Sequence, residues 1–136
     1  MFKTVFIAAA LTLLSLSAKA APTDFPNAHI WNAVPQDAVT ITDWYKQNVY
    51  DPNDNKIGEV MDMLVDKSGQ VSALIVGVGG FLGVGEKDVV VPFGEVHATV
   101  RDKKVYLIMN TTRDSLKEAT GFKYDSNTTK WVPDRR

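Results

Sequence analysis

The fold of this chain is decided by the stretch from Gln70 to Phe93, which reads QVSALIVGVGGFLGVGEKDVVVPF. Two apolar runs, Val71–Val78 and Val89–Val91, flank a loop that holds five glycines between positions 77 and 85. Short runs this rich in valine and isoleucine are typical of strands buried on both faces. Glycines at this density exclude a helix between the two runs. The stretch therefore predicts two core strands joined by a glycine-rich loop.

Short strands separated by turn signals continue on both sides of this stretch. Lys56–Asp66 reads as a strand, with a bulge marked by Gly58 that adjusts its register. His97–Arg101 and Val105–Met109 read as two more strands, separated by the turn Asp102-Lys103. Strands with turn signals about every eight to twelve residues are typical of a small β-barrel or sandwich. We assign this folded unit to residues 40–110.

The tail, residues 111–136, has a different pattern. Thr112–Ala119 predicts one short helix that a threonine caps and that ends near Gly121. Phe122–Tyr124 and Lys130–Val132 bracket a polar turn, which predicts a terminal hairpin. We expect Trp131 of that hairpin to pack on the barrel.

The first twenty residues have the composition of a secretory signal peptide. Lys3 supplies a positive start, Val5–Leu16 an apolar run, and Ala18-Lys19-Ala20 a small-residue cleavage site. The apolar run is shorter than the roughly 20 residues that a membrane-spanning helix needs. We therefore expect cleavage near Ala20, a periplasmic or secreted location, and no membrane span in the mature chain.

Residues 21–39 contain three prolines and no clear periodicity, which predicts a linker or a weakly ordered arm. Phe25, Ile30 and Trp31 are unusual in a fully solvated linker. We expect them to dock on the chain's own domain or on a partner.

The overall composition is that of one globular domain with appendages. The chain has 136 residues, of which 45% are hydrophobic and 23% charged, and these values allow a packed core. The formal net charge of −1 includes no basic stripe, which argues against binding to nucleic acid. The chain has no cysteine, so an exported fold would hold no disulfide and would depend on core packing alone.

The order of these motifs resembles the PRC-barrel family, named for the cytoplasmic domain of the photosynthetic reaction-centre H subunit. The resemblance rests on Val49–Asn53, Lys56–Val60, Val71–Val89 and Val91–Phe93, and it covers roughly residues 42–109. The chain is most similar to exported, single-domain alphaproteobacterial members. The resemblance implies a mainly β fold, a small six-stranded antiparallel barrel, to which the tail adds its short helix and hairpin. It implies no catalytic residues and no cofactor, and it implies a role in docking or assembly.

The glycine-rich loop lacks the features of a phosphate-binding loop. Leu82 stands where a dinucleotide fingerprint needs glycine, and Glu86 rather than lysine follows Gly85. A strand rather than a helix follows the loop, so no helix N-terminus is available to an anion. We predict a structural strand connection and no nucleotide cofactor.

One polar turn partly fits a calcium loop. Asp51, Asn53 and Asn55, followed by two more acids, place oxygens at ligand positions of that template, but Lys56 stands where the sharp turn needs glycine. The two histidines have no metal-ligand spacing. A polar turn is the favoured interpretation, with Asp51, Asn53 and Asn55 as weak cation candidates.

Glu86 and Asp88 are the candidate acid–base pair. Two positions apart in a strand, they share one face, which is compatible with acid–base chemistry. Solvated acids beside a turn are far commoner, and a chain without cysteine offers no thiol nucleophile. We predict that the protein is not an enzyme.

Phe81 and Leu82, at the centre of the loop, are the candidate partner contacts. Folding of Phe81 back into the mouth of the barrel is an equal alternative. The leading hypothesis is a non-catalytic exported module for protein–protein interaction or assembly in the cell envelope. Its protein partner is unidentified, and a homodimer is one option. The alternative is a small-ligand or cation-binding barrel, and the third hypothesis is an enzyme that uses Glu86 and Asp88.

Overall fold

The computed structural model describes residues 26–80 and 85–135. The chain divides into two compact units, Met1–Val34 and Pro35–Arg136. The predicted signal peptide and Phe25 lie outside the described residues. Residues 26–34 of the first unit form no helix or strand, and Ile30 and Trp31 are exposed by 82% and 67%. Docking of these two side chains, on the chain's own domain or on a partner, stays a prediction.

The second unit is mainly β, as predicted. Its elements in chain order are α1 (Ile41–Trp44), β1 (Asn48–Tyr50), β2 (Lys56–Val65), β3 (Val71–Val78), β4 (Lys87–Pro92), a 3-10 turn (Phe93–Glu95), β5 (Val96–Arg101), β6 (Lys104–Met109), α2 (Arg113–Glu118), β7 (Phe122–Asp125) and β8 (Lys130–Pro133). The predicted C-terminal helix and terminal hairpin are both present, as α2 and as β7 with β8. Thr112 caps α2 by accepting a hydrogen bond from the backbone N–H of Ser115, at 3.1 Å.

The strands form one sheet in the order β5-β6-β1-β2-β3-β4-β7-β8. The expected count of six strands is wrong by two, because the terminal hairpin joins the same sheet where Asp88 of β4 pairs with Phe122 of β7. The expectation of a wholly antiparallel barrel is also wrong. The chain passes through the 3-10 turn without reversing, so β4 and β5 run in the same direction. As a result, β6 runs parallel to β1, the strand with which it pairs. Within the described ranges, no backbone pairing joins β5 to β8 to close the sheet.

The core lies between the curved strands, and β3 crosses its centre. Five consecutive residues of β3, from Leu74 to Val78, are buried, which confirms the predicted burial on both faces. Val49 of β1, Val60 of β2 and Leu107 of β6 are fully buried beside it. On the tail, Trp131 donates a hydrogen bond from Nε1 to Oδ2 of Asp62 at 2.8 Å, so the terminal hairpin packs on the barrel as expected.

The predicted irregularity at Gly58 is present in β2. Val49 of β1 pairs with Gly58 and the next residue, Tyr50, pairs with Lys56, so the register slips by one residue there. Gly58 is buried against β3: a Cβ at this position would lie 2.6 Å from Cγ1 of Val76 and 2.9 Å from the carbonyl oxygen of Gly77. Glycine therefore permits β2 and β3 to approach closely at this point.

Candidate functional site

The described ends of the glycine-rich loop have a left-handed backbone. Gly79, Gly80 and Gly85 have φ values of +76°, +78° and +73°, which residues with a side chain rarely adopt. The loop leaves β3 beside α2, since a Cβ on Gly79 would lie 3.4 Å from Cε of Lys117. Phe81 and Leu82, the candidate partner contacts, belong to residues 81–84 and lie outside the described part of the chain. Their exposure stays a prediction.

A cleft of about 710 Å³ opens beside the point where the loop enters β4. Its walls come from the start of β4, from the link between α2 and β7, and from the residue after β8. The side chains that line it are mostly polar: Glu86, Lys87, Asp88, Thr120, Phe122, Lys123 and Asp134. The structure therefore brings both members of the predicted acid–base pair to one cleft, together with residues that the sequence pattern did not indicate.

Asp88 is an acid in this cleft whose environment is unfavourable to its charged form. Its side chain is half-buried, and Oδ1 has no hydrogen-bond partner among the described residues. Desolvation raises the pKa of this carboxyl, and the positive charge of Lys46 opposes that rise. A carboxyl with a raised pKa in a cleft is a common feature of functional sites, although structural acids also show it.

Lys87, between the two acids, has a structural partner. Its Nζ donates hydrogen bonds to the carbonyl oxygens of Lys117 and Ala119, the latter at 3.1 Å. These carbonyls lie at the C-terminal end of α2, where a cation compensates the unpaired acceptors and the negative end of the helix dipole. Lys87, the first residue of β4, therefore connects the start of that strand to the C-terminal end of α2.

A second, smaller cleft of about 250 Å³ is also lined by Glu86. Four charged side chains, two acidic and two basic, line it together with loop glycines: Lys56, Glu59, Glu86 and Arg113. The carboxylate of Glu86 occupies the space where Gly77 would carry a Cβ, so the absence of a side chain at position 77 makes room for it. Glu86 thus lines both clefts, and each cleft is also lined by one or more glycines from the described ends of the loop.

The polar turn after β1 is held by its own side chains. Oδ1 of Asp51 accepts hydrogen bonds from the backbone N–H groups of Asn53 and Asn55, at 2.8 and 2.9 Å. The side-chain amide of Asn55 donates to Oδ2 of Asp51 at 3.0 Å, and these contacts, the amide first, lower the pKa of Asp51. Because Asn55 directs its donor group rather than its oxygen toward Asp51, the geometry supports the polar turn. Among the described residues, no group of three or more histidines or acids is arranged to hold a metal ion.

Sequence reasoning missed an aromatic and charged cluster on the outer side of the sheet. Tyr50 of β1 stacks on Tyr106 of β6 with ring centroids 4.4 Å apart, and the guanidinium of Arg101 lies 4.0 Å from the centroid of the Tyr106 ring. Asp54 accepts hydrogen bonds at 3.0 Å from both Arg101 and Tyr106, and these bonds lower its pKa. No local signal could have revealed this cluster, because it depends on the parallel pairing of β1 with β6.

Comparison with known proteins agrees with the fold described above. The model of the PRC-barrel domain matches residues 36–115, more than half of the chain, and the chain therefore belongs to the PRC-barrel family. The match includes β1 to β6 and the glycine-rich loop and ends inside α2, so the terminal hairpin lies beyond it. None of the curated proteins compared with the chain matches it. In the described part of the chain, no helix has the length and apolar character needed to cross a membrane.

Proposed function

We propose that this protein is a non-catalytic PRC-barrel module, exported from the cytoplasm, that acts in protein–protein interaction or assembly in the cell envelope. The observation that carries this proposal is the outer edge of β5, with which no strand in the described part of the chain pairs. β5 is the last strand of the sheet, and five of its six residues, His97–Arg101, are exposed. A free strand edge presents unpaired backbone N–H and C=O groups, to which another chain can add as a strand.

The glycine-rich loop supplies the second proposed contact. Phe81 and Leu82 are the apolar pair at the centre of the loop sequence. The smaller cleft, beside the described glycines of the same loop, carries charges of both signs, among them Glu59 and Arg113. An apolar centre with a polar rim is the usual composition of a protein–protein interface. We assign the pair to partner contact on this basis.

Export is supported by the sequence of the first twenty residues. They have the three regions of a cleaved signal peptide, and the absence of cysteine leaves no acceptor for a lipid at the cleavage site. The proposed location is the periplasm or the medium, after cleavage near Ala20. Amino-terminal sequencing of the protein purified from the producing cells tests the cleavage: a first residue other than one near position 21 would contradict it.

A double variant tests the loop contact. Phe81→Ser with Leu82→Ser should leave the melting temperature almost unchanged and abolish crosslinking of the loop to its partner in intact cells. Val65→Ser is the matched control, because Val65 is an exposed apolar residue distant from the loop in the sequence. A large loss of melting temperature in the double variant would show instead that the pair belongs to the core.

The cleft beside β4 favours a second candidate, a small-ligand or cation-binding barrel. It brings the desolvated carboxyl of Asp88 and the carboxylate of Glu86 to one concave surface. Calorimetric titration with calcium chloride tests cation binding, with Asp88→Asn and Asp51→Asn as variants. Heat that disappears only in the Asp88 variant would favour the cleft, heat that disappears only in the Asp51 variant would favour the turn, and no heat at millimolar calcium would remove both.

A further inference from the structure

We infer that the partner of the β5 edge is a second copy of this chain, paired antiparallel with β5 about a two-fold axis at Ala98. This inference rests on the proposed interaction function and names the partner. Three observations support this inference: the backbone groups that face the edge, the side chains that are exposed there, and the protection of the opposite edge of the sheet.

The turn between β5 and β6 determines which backbone groups face outward. Asp102 and Lys103 both have positive φ values, +50° and +63°, as in the two-residue type I′ turn of a tight hairpin. Arg101 and Lys104, which flank this turn and pair with each other, exchange both backbone hydrogen bonds. Along an antiparallel ladder, pairs that exchange backbone hydrogen bonds then alternate with pairs that do not. The N–H and C=O groups of Arg101, Thr99 and His97 therefore point toward β6, and those of the alternate residues, Val100, Ala98 and Val96, point to the open edge.

The side chains of the same alternate residues share one face of the sheet, the face on which Val96 reaches the core. Val96 is only 5% exposed, whereas Val100, at the other end of the strand, is 72% exposed. Antiparallel pairing about Ala98 places Val100 opposite Val96 of the second copy, and Val96 opposite the second Val100. Each bare valine thereby gains a β-branched neighbour on the core face, a cross-strand pair that stabilises sheets.

Charge favours the same orientation. Arg101 is the only lysine, arginine or acid in β5, and it lies at the end of the strand. Antiparallel pairing keeps the two copies of Arg101 at opposite ends of the shared ladder, whereas parallel pairing in register would place them side by side. Arg101 is also held by Asp54 and by the ring of Tyr106, away from a partner strand.

The opposite edge of the sheet is protected, and β5 is not. β8 has four residues, begins with Lys130 and ends with Pro133, and a short strand with lysine and proline is a common means of preventing edge pairing. β5 has six residues, no lysine or proline, and a regular register with β6. With one open edge per copy, pairing closes in a two-fold dimer and does not continue into a fibre.

A cysteine scan tests the pairing directly, because the chain has no cysteine of its own. In an antiparallel ladder, residues that exchange hydrogen bonds lie with Cα atoms about 5.5 Å apart, within the range of a disulfide. Ala98→Cys should give a disulfide-linked dimer in oxidised glutathione, and Val65→Cys, at another exposed position, should not. A dimer that forms more readily with Thr99→Cys would overturn the axis at Ala98.

Sedimentation velocity of the protein purified from the producing cells gives the second test. Ala98→Pro removes an N–H that points outward and leaves the β5–β6 hydrogen bonds intact, so it should convert dimer to monomer without changing the circular dichroism. Val100→Lys should also weaken the dimer, while Val65→Lys should not. A protein that is monomeric at its highest soluble concentration would overturn the inference.

Photocrosslinking in intact cells separates the inference from the proposed function. A crosslinker at position 100 should link two copies of this chain. Crosslinks to a different protein alone would overturn self-pairing and leave the interaction function standing. Crosslinks to no protein, from position 100 or from position 82, would overturn both.

Discussion

Replacing Gly58 by alanine tests how closely β2 and β3 approach. The added Cβ would lie 2.6 Å from Cγ1 of Val76 and 2.9 Å from the carbonyl oxygen of Gly77, and real Cβ contacts under 3.0 Å are essentially never seen. Val76 is fully buried, and the carbonyl belongs to the backbone of a paired strand. Neither atom can move aside as the end of a flexible side chain could, so the two strands themselves must separate.

The cost follows from two opposing effects. Extra atoms in a packed core cost about 1–3 kcal/mol, and a backbone contact favours the upper half of that range. Alanine returns about 0.5–1 kcal/mol, because it restricts the unfolded chain more than glycine does. We expect Gly58→Ala to lower the free energy of unfolding by about 1–2.5 kcal/mol. For a domain of this size, this corresponds to a melting temperature lower by about 5–15 °C.

Urea unfolding, followed by circular dichroism, measures the effect against two matched variants. Gly94→Ala meets nothing within 4 Å and should be neutral or slightly stabilising. Gly77→Ala meets the movable carboxylate of Glu86 and Cγ of Met61 at 3.0 Å, so its cost should be intermediate. If Gly58→Ala lay within about 0.5 kcal/mol of the parent protein, a range ordinary for surface substitutions, the close approach would be refuted.

Three other substitutions have defined outcomes. Asp88→Asn removes a carboxyl whose pKa is raised by desolvation, so it should increase the free energy of unfolding at neutral pH. The gain should vanish below the ordinary aspartate pKa, where the carboxyl is protonated in both the folded and the unfolded chain. A gain in stability that persists in acid would contradict this. Trp131→Phe removes the hydrogen bond to Asp62 and should lower the free energy of unfolding by about 1.5 kcal/mol. A protease should then cleave the terminal hairpin before the barrel. Unchanged cleavage would show that the hydrogen bond is dispensable. Thr112→Ala removes the cap of α2 and should cost about 1 kcal/mol in urea unfolding, whereas Thr112→Ser should retain most of the stability.

Local patterns predicted most of the strands and turns. Val71–Val78 was readable because a continuous β-branched run has few alternatives to a buried strand. The turn at residues 51–55 was readable because Asp51 accepts hydrogen bonds from the backbone that follows it, a property of the aspartate side chain itself.

Long-range pairing could not be read from the sequence. β1 has only three residues, and nothing in Asn48–Tyr50 indicates a parallel neighbour nearly sixty residues later in the chain. The backbone pairing between hairpin and barrel consists of one residue pair, Asp88 with Phe122. The period-2 spacing of Glu86 and Asp88 predicted that they share a face. The opposite wall of their cleft, from residues 119–123 and Asp134, is distant in the sequence, and no local pattern indicated that it would lie there.

Because Lys87 is hydrogen-bonded to the end of α2, a pulling force on the glycine-rich loop would reach that helix. A partner that drew the loop outward would pull directly on the carbonyls of Lys117 and Ala119. Between Ala119 and the first residue of β7 the chain has only two residues, Thr120 and Gly121, and a residue spans at most about 3.5 Å. Fully extended, this segment therefore reaches about 10 Å, and moving Ala119 farther than that from Phe122 would detach β7 from β4. A force applied at the loop would thus be transmitted to the far edge of the sheet.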